Sequence, residues 1–387
     1  MSTLPPTGPI PPGAILFHIG PFKTGTTALQ SVAARRRQEL LDHGVRYPGR
    51  GVNHRFEVNS FTQVSSGWLD RHGARALASP PIAVWRRLKA EIDAETERRV
   101  WFGHENVGMN DDATARRWAD ELGERAQVVI TLRPFSRMLP SLWQETLKRN
   151  AGRGTQDSWL RDFQKLGTAE PMLHDPEALV RRWVAAAGSD RVIVVVADSR
   201  DHSFLFQAFE QLLELPGGLL AAEAANASRN RALTAAEAEV LRRLNRKTRA
   251  NGLEWRNHEW LVYYGAISRM QSRDPAPHEA RLQLPEWAVA PALEHDRRIR
   301  DFVMGSGVRV VGDPDNLIAA APKGDGVHAP VRTVPASAAV EALVGAIAVA
   351  GGRDAYFTAK HWPARRKLSC DLRINLPAGR AVGRAEQ

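Results

Sequence analysis

The run His18-Ile19-Gly20-Pro21-Phe22-Lys23-Thr24-Gly25-Thr26-Thr27 lies between a short apolar stretch, Ala14-Ile15-Leu16-Phe17, and an amphipathic segment from Ala28 to Leu41. That order reads as strand, glycine-containing loop, helix. It is the arrangement that aims backbone N–H groups and the positive end of a helix at a phosphate. The loop carries a single lysine, Lys23, and the hydroxyls of Thr24, Thr26 and Thr27. A binding site for the doubly anionic tail of a nucleotide is the natural reading.

The loop departs from the pattern of a nucleoside triphosphatase. There, four residues separate a glycine from Gly-Lys-Ser/Thr, so that the lysine reaches the β- and γ-phosphates and the next hydroxyl holds magnesium. Gly20 and Gly25 have the right separation, but Thr26 follows Gly25, and the lysine stands two positions before it. The variant resembles the 5′-phosphosulfate loop of sulfotransferases that use 3′-phosphoadenosine 5′-phosphosulfate (PAPS). Residues 20–29 match the Gly-Pro-x-Lys-Thr-Gly-Thr-Thr-Ala-Leu wording of the heparan-type enzymes at every defined position. The resemblance implies cofactor contacts from Gly20, Pro21, Phe22, Lys23, Thr24, Gly25, Thr26 and Thr27.

The same family implies a second motif for the 3′-phosphate of PAPS: a strand ending in Arg, with Ser eight positions on. Val128-Val129-Ile130-Thr131-Leu132 is apolar and β-branched, as strands are. Arg133 ends it and Ser141 follows at the implied distance. A guanidinium at a strand end can grip phosphate with two N–H donors. A hydroxyl in the first turn of a helix adds a donor near the positive end of the dipole. Pro134 directly follows Arg133, where the common wording has it one residue later, and Pro140 precedes Ser141. Since proline is tolerated only in a helix's first turn, this helix is expected to begin near Leu139.

Strand-like runs at Ala14–Ile19, Val45–Tyr47, Arg99–Phe102, Val128–Leu132 and Val192–Val196 alternate with helical patterns. The helical patterns lie near Thr26–Leu41, Ile82–Glu97, Ala113–Leu122, Leu139–Arg149 and Pro176–Ala187. Such alternation predicts an α/β fold: a parallel β-sheet flanked by helices on both faces, which the resemblance makes the P-loop-like fold of sulfotransferases. Beyond residue 200 the pattern becomes helical, at Phe204–Leu213, Thr234–Arg249 and Trp287–Met304, with Thr234 and Glu237 spaced as a capping box. We expect a flexible N-terminus over 1–13, a sulfotransferase domain over 14–320, and a C-terminal helix with a basic tail over 321–387. Val192–Val196 followed by Asp198 weakly suggests a magnesium-binding strand.

The 387 residues are 43% hydrophobic and 25% charged, a composition that supports a large core. The net charge of +10 suits an anionic ligand. Arginine is spread along the chain without interleaved aromatics, so nucleic acid is not an expected partner. No run approaches the roughly 20 apolar residues of a membrane span, and neither a signal peptide nor a Golgi-type anchor is expected. The sole cysteine, Cys370, can form no intramolecular disulfide, and a cytoplasmic setting follows as the default.

Sulfuryl transfer needs positive charge at the bridging oxygen and a base for the acceptor proton. Lys23 is the candidate for the first task, and no metal is called for. For the second, Glu105 in Phe102-Gly103-His104-Glu105-Asn106 is the first choice and His104 the second. Many bacterial members of the family have Ser-Glu-Asn there, and this chain shares the Glu105-Asn106 pair but has His104 in place of the serine. Asn53-His54-Arg55-Phe56-Glu57 supplies two further candidates, His54 and Glu57, in the general region where heparan-type enzymes keep a base. The aromatic run Trp255–Tyr264 could stack on an acceptor or pack in the core. Lys323-Gly324-Asp325-Gly326 is distantly similar to a C-terminal cofactor segment of the cytosolic enzymes. A glycan or small-molecule acceptor is expected by analogy with the loop wording. The rivals are a P-loop kinase or NTPase, a basic nucleic-acid-binding protein, and a sulfotransferase-like fold used for binding alone.

Overall fold

The computed structural model describes residues 8–63, 79–150, 154–165, 175–222, 231–277, 279–318, 331 and 333–350. Cys370, Lys323–Gly326 and the basic tail lie outside them. Six strands form one sheet in the order β2-β3-β1-β4-β5-β6. They are β1 (Ile15–Ile19), β2 (Val45–Arg46), β3 (Arg99–Phe102), β4 (Ala126–Leu132), β5 (Val192–Val196) and β6 (Arg309–Val311). All pairings are parallel, with Ile15 opposite Val100, Ile19 opposite Ile130, and Leu132 opposite Val196.

Alternation along each strand feeds two cores, because successive side chains point to opposite faces. Ile15, Phe17, Ile19, Val128, Ile130 and Val194 face a core rich in tryptophan, with Trp85, Trp118 and Trp183 at its centre. Leu16, Val129, Ile193 and Val195 face the other, shared with Leu29, Val32 and Phe209. The helices that cover these faces are α1 (Thr26–Arg35), α2 (Arg37–Asp42), α3 (Arg55–Thr62), α4 (Ile82–Asp93), α5 (Asp112–Leu122), α6 (Phe135–Lys148), α7 (Gln156–Lys165), α8 (Pro176–Ala187) and α9 (Phe204–Leu213). Helices α10 (Ala235–Ala250), α11 (Glu286–Gly305) and α12 (Ala336–Ala348) follow.

The parallel α/β sheet is as the sequence predicts, with corrections at the ends of elements. The expected single helix over Thr26–Leu41 breaks at Arg36. Arg36 turns to Glu39 (2.6 Å), and Arg37 reaches across to the carbonyls of Tyr47 (3.1 Å) and Gly51 (2.7 Å). Strand β6, only three residues long, was not anticipated. Within the segment expected to be flexible, Ile10 is buried, and its N–H donates to Leu212 O at 2.9 Å. The capping box at Thr234 is present, with both of its hydrogen bonds made.

Helix α6 begins at Phe135, not near Leu139, and so holds Pro140 in its interior. The cause is remote in sequence. The Ser136 N–H donates to Asp296 Oδ1 at 3.0 Å, and the Ser136 hydroxyl donates to Asp296 Oδ2. A carboxylate from α11 thus satisfies the first turn and lets the helix start a turn early.

The aromatic run does not form an ordinary helix. Glu259–Ile267 is a π-helix. Its Val262, Ala266 and Ile267 are buried in a third core with Trp143 and Leu147 of α6. It crosses α12 at Gly265 and Gly345, so closely that a Cβ on Gly265 would lie 2.6 Å from Gly345 O.

Candidate functional site

Because the strands are parallel, the segments that leave β1, β3 and β4 emerge at one edge. In folds of this type that edge is where ligands sit. The loop from Gly20 to Gly25 follows β1. It is held by close packing: a Cβ at Gly20 would lie 3.3 Å from Thr131 O, and one at Gly108 would lie 2.8 Å from Gly20 O. Thr24 Oγ1 donates to Pro21 O at 2.9 Å and closes the loop on itself. Lys23 and Gly25 both have left-handed backbone, with φ of 72° and 96°, a conformation that glycine takes freely and lysine rarely.

Gly25 is the N-cap of α1 and offers no side chain to it. The N–H groups at the start of a helix have no partner within it. The Thr26 hydroxyl is buried beside them without a hydrogen-bond partner. Unclaimed backbone donors and an orphaned hydroxyl at a helix N-terminus form a cradle for an anion.

Arg133 leaves β4 and turns back onto this loop, donating from Nη1 to Lys23 O at 3.0 Å. Burial, together with the nearby Arg137, pushes its pKa below the ordinary guanidinium value. It meets a carbonyl and not a carboxylate, so its charge suits a phosphate. Ser141 lies half-buried on α6. With the helix starting at Phe135, Ser141 is past the first turn. The first-turn dipole argument for it does not hold, and its value lies in its position.

That position is one helical turn before Glu145, which no motif pointed to. Lys23 Nζ donates to Glu145 Oε1 at 2.6 Å, and Lys148 Nζ lies 3.1 Å from the same oxygen. Burial alone would raise the pKa of Glu145, but Lys148 and Lys23 outweigh it and hold the carboxyl at about 2. A Ser-x-x-x-Glu spacing on one helix was the sequence signal available, since residues four apart share a face.

The four base candidates separate clearly. His54 is buried, and both of its ring nitrogens are engaged. Nε2 lies 3.0 Å from Pro48 O, and Nδ1 accepts from the Gly103 N–H at 3.3 Å. Burial lowers its pKa to about 4. It is a neutral strut, placed to hold the turn after β3. His104 caps the 3-10 turn Glu105–Met109, its Nδ1 accepting from the Asn106 N–H at 3.1 Å. Burial, then Arg55 and Arg149, depress its pKa to about 3. Its Nε2 faces Glu105 Oε2 at 3.5 Å.

Glu105 is the opposite case. Burial raises its pKa above the usual carboxylate value, against the pull of Gln30, Arg149 and Arg55. Gln30, which is on α1, donates to Glu105 Oε2 at 3.5 Å and so ties this turn to the loop helix. Glu57, on α3, also has a raised pKa through burial, and its Oε2 is a buried oxygen without a partner. Of the four, Glu105 is the one bonded to α1, through Gln30.

Asp198, after β5, is committed elsewhere: its Oδ1 accepts from the Arg200 N–H at 2.8 Å, and its oxygens meet the Arg200 guanidinium at 3.2 Å. Among the described residues no cluster of three metal-ligating side chains occurs, and no helix is long and apolar enough to cross a membrane.

No protein-family model matches the chain, and no curated protein does. Among solved structures it is similar to a sulfotransferase from Alicyclobacillus acidocaldarius at 18% identity. The match covers 53% of this chain and 81% of that one, with a TM-score of 0.36.

Proposed function

We propose that this protein is a sulfotransferase that takes its sulfuryl group from PAPS and passes it to a hydroxyl or amine of a glycan or small-molecule acceptor. The observation that carries the reading is the contact of Arg133 with the Lys23 carbonyl beside the uncapped N-terminus of α1 and the orphaned Thr26 hydroxyl. The residues fit the cofactor. The loop N–H groups, Lys23 and Thr26 would hold the 5′-phosphosulfate end, and Arg133 with Ser141 would hold the 3′-phosphate. PAPS supplies an activated sulfuryl group whose departure leaves adenosine 3′,5′-bisphosphate.

The chain's own residues account for the rest. Lys23 and the loop donors stabilise negative charge in a site already oriented to receive it. Glu105, made more basic by burial, accepts the acceptor's proton. His104, neutral and fixed by Asn106, orients that carboxylate through Nε2. Arg55 and Arg149 offset the charge of the ionised base.

Calorimetric titration tests the reading. Adenosine 3′,5′-bisphosphate is expected to bind without metal at least tenfold tighter than 5′-AMP, and Arg133→Ala should abolish that preference, a loss of about 1.5–3 kcal/mol. Preference for ATP with magnesium, or indifference to the 3′-phosphate, would return the loop to the kinases.

A further inference from the structure

Lys23 has a partner that none of the recognised motifs contains, and the geometry around that partner is unusual. Glu145 Oε1 accepts from Lys23 Nζ at 2.6 Å, and the same oxygen has Lys148 Nζ at 3.1 Å. The Lys148 side chain is 10% exposed and that of Glu145 17%, whereas that of Lys23 is 32% exposed. One lysine is therefore enclosed with the carboxylate, and the other reaches it from the open side, on a loop shaped for phosphate. A buried carboxylate stripped of its only cation would be strongly disfavoured. Glu145 would not be, because Lys148 remains.

We propose that Glu145 is a competitor for Lys23: the ligand's phosphate must win the ammonium from this carboxylate, and Lys148 keeps Glu145 paired after the exchange. The inference rests on the reading of the loop as a PAPS site. Glu145 is then a positioning residue that sets cofactor affinity, since a ligand binds more weakly when its partner group is otherwise engaged. It also explains why a carboxylate occupies an anion-binding site at all.

The test is calorimetric titration with adenosine 3′,5′-bisphosphate on wild type, Glu145→Gln and Glu145→Asp, with and without Lys23→Met, after circular dichroism has shown each variant folded. Glu145→Gln removes the carboxylate's charge. Glu145→Asp keeps the charge but withdraws it by one methylene from Lys23. Competition predicts that both bind about three- to tenfold tighter than wild type, and that the gain disappears on the Lys23→Met background. A gain in Glu145→Gln alone that persists with Lys23→Met would mean a simple field effect and would overturn the proposal. So would a selective wild type whose two variants are unchanged or weaker, and that result would leave the PAPS reading intact. A wild type that does not prefer the bisphosphate over 5′-AMP would overturn both.

Discussion

Glu105 and His104 are adjacent, and burial acts on them in opposite senses. It favours the neutral form of each, which makes the carboxylate more basic and the imidazole less so. If Glu105 is the base, as proposed, it must be ionised to work, so turnover should fall as pH drops through its raised pKa, above the range of an ordinary glutamate. Glu105→Gln should lower kcat by about 10²–10⁴-fold and remove that acidic limb from the pH–rate profile. An unchanged limb in the variant would move the role to Glu57. His54 shows why residue type is a poor guide. A histidine near a phosphate loop suggests catalysis, yet Pro48 and Gly103 engage both of its nitrogens.

At the scale of elements, α6 does the most to assemble the site. It carries Glu145 to Lys23 of the loop, buries Trp143 and Leu147 in the third core, and takes its first-turn partner from Asp296. The π-helix and α12 lean on the same core through the Gly265–Gly345 crossing. Neither glycine tolerates a side chain there, because the approach is backbone to backbone. Gly265→Ala should part the two helices at a cost of about 1–3 kcal/mol. Hydrogen exchange should then show protection lost over Ala336–Ala348 while β1 and β4 keep theirs. Even protection across both regions would mean that the crossing contributes little.

At the scale of the whole molecule, four buried histidines among the described residues couple stability to pH. Burial lowers His18 and His104 to about 3, and His54 and His258 to about 4. The folded protein keeps them neutral, whereas the unfolded chain takes up protons below the ordinary value near 6.5. Proton uptake by the unfolded state means that this contribution to stability is full above about pH 6.5 and is lost as pH falls through the folded-state values of about 4 and 3. Each histidine is expected to contribute about 1–2 kcal/mol of that loss by pH 5. Urea unfolding at pH 7.5 and pH 5.0 should show the midpoint drop. A midpoint that holds or rises at pH 5.0 would contradict the buried, neutral assignment.

Contiguous signals were enough for much of this protein. Gly20–Thr27 announced a turn between strand and helix, Val128–Leu132 a strand that ends at Arg133, and the apolar runs a parallel sheet, since each is written in neighbouring residues and in the two periods of the backbone. Tertiary structure decided what those residues touch. Lys23 meets Glu145 across 122 positions, Ser136 meets Asp296 across 160, and the Gly103 N–H meets His54 across 49. The early start of α6, the strut role of His54 and the contest over Lys23 all depend on such contacts. A pairing between distant side chains leaves no periodic trace in the sequence, because it is set by how whole elements pack and not by the local preferences of either residue.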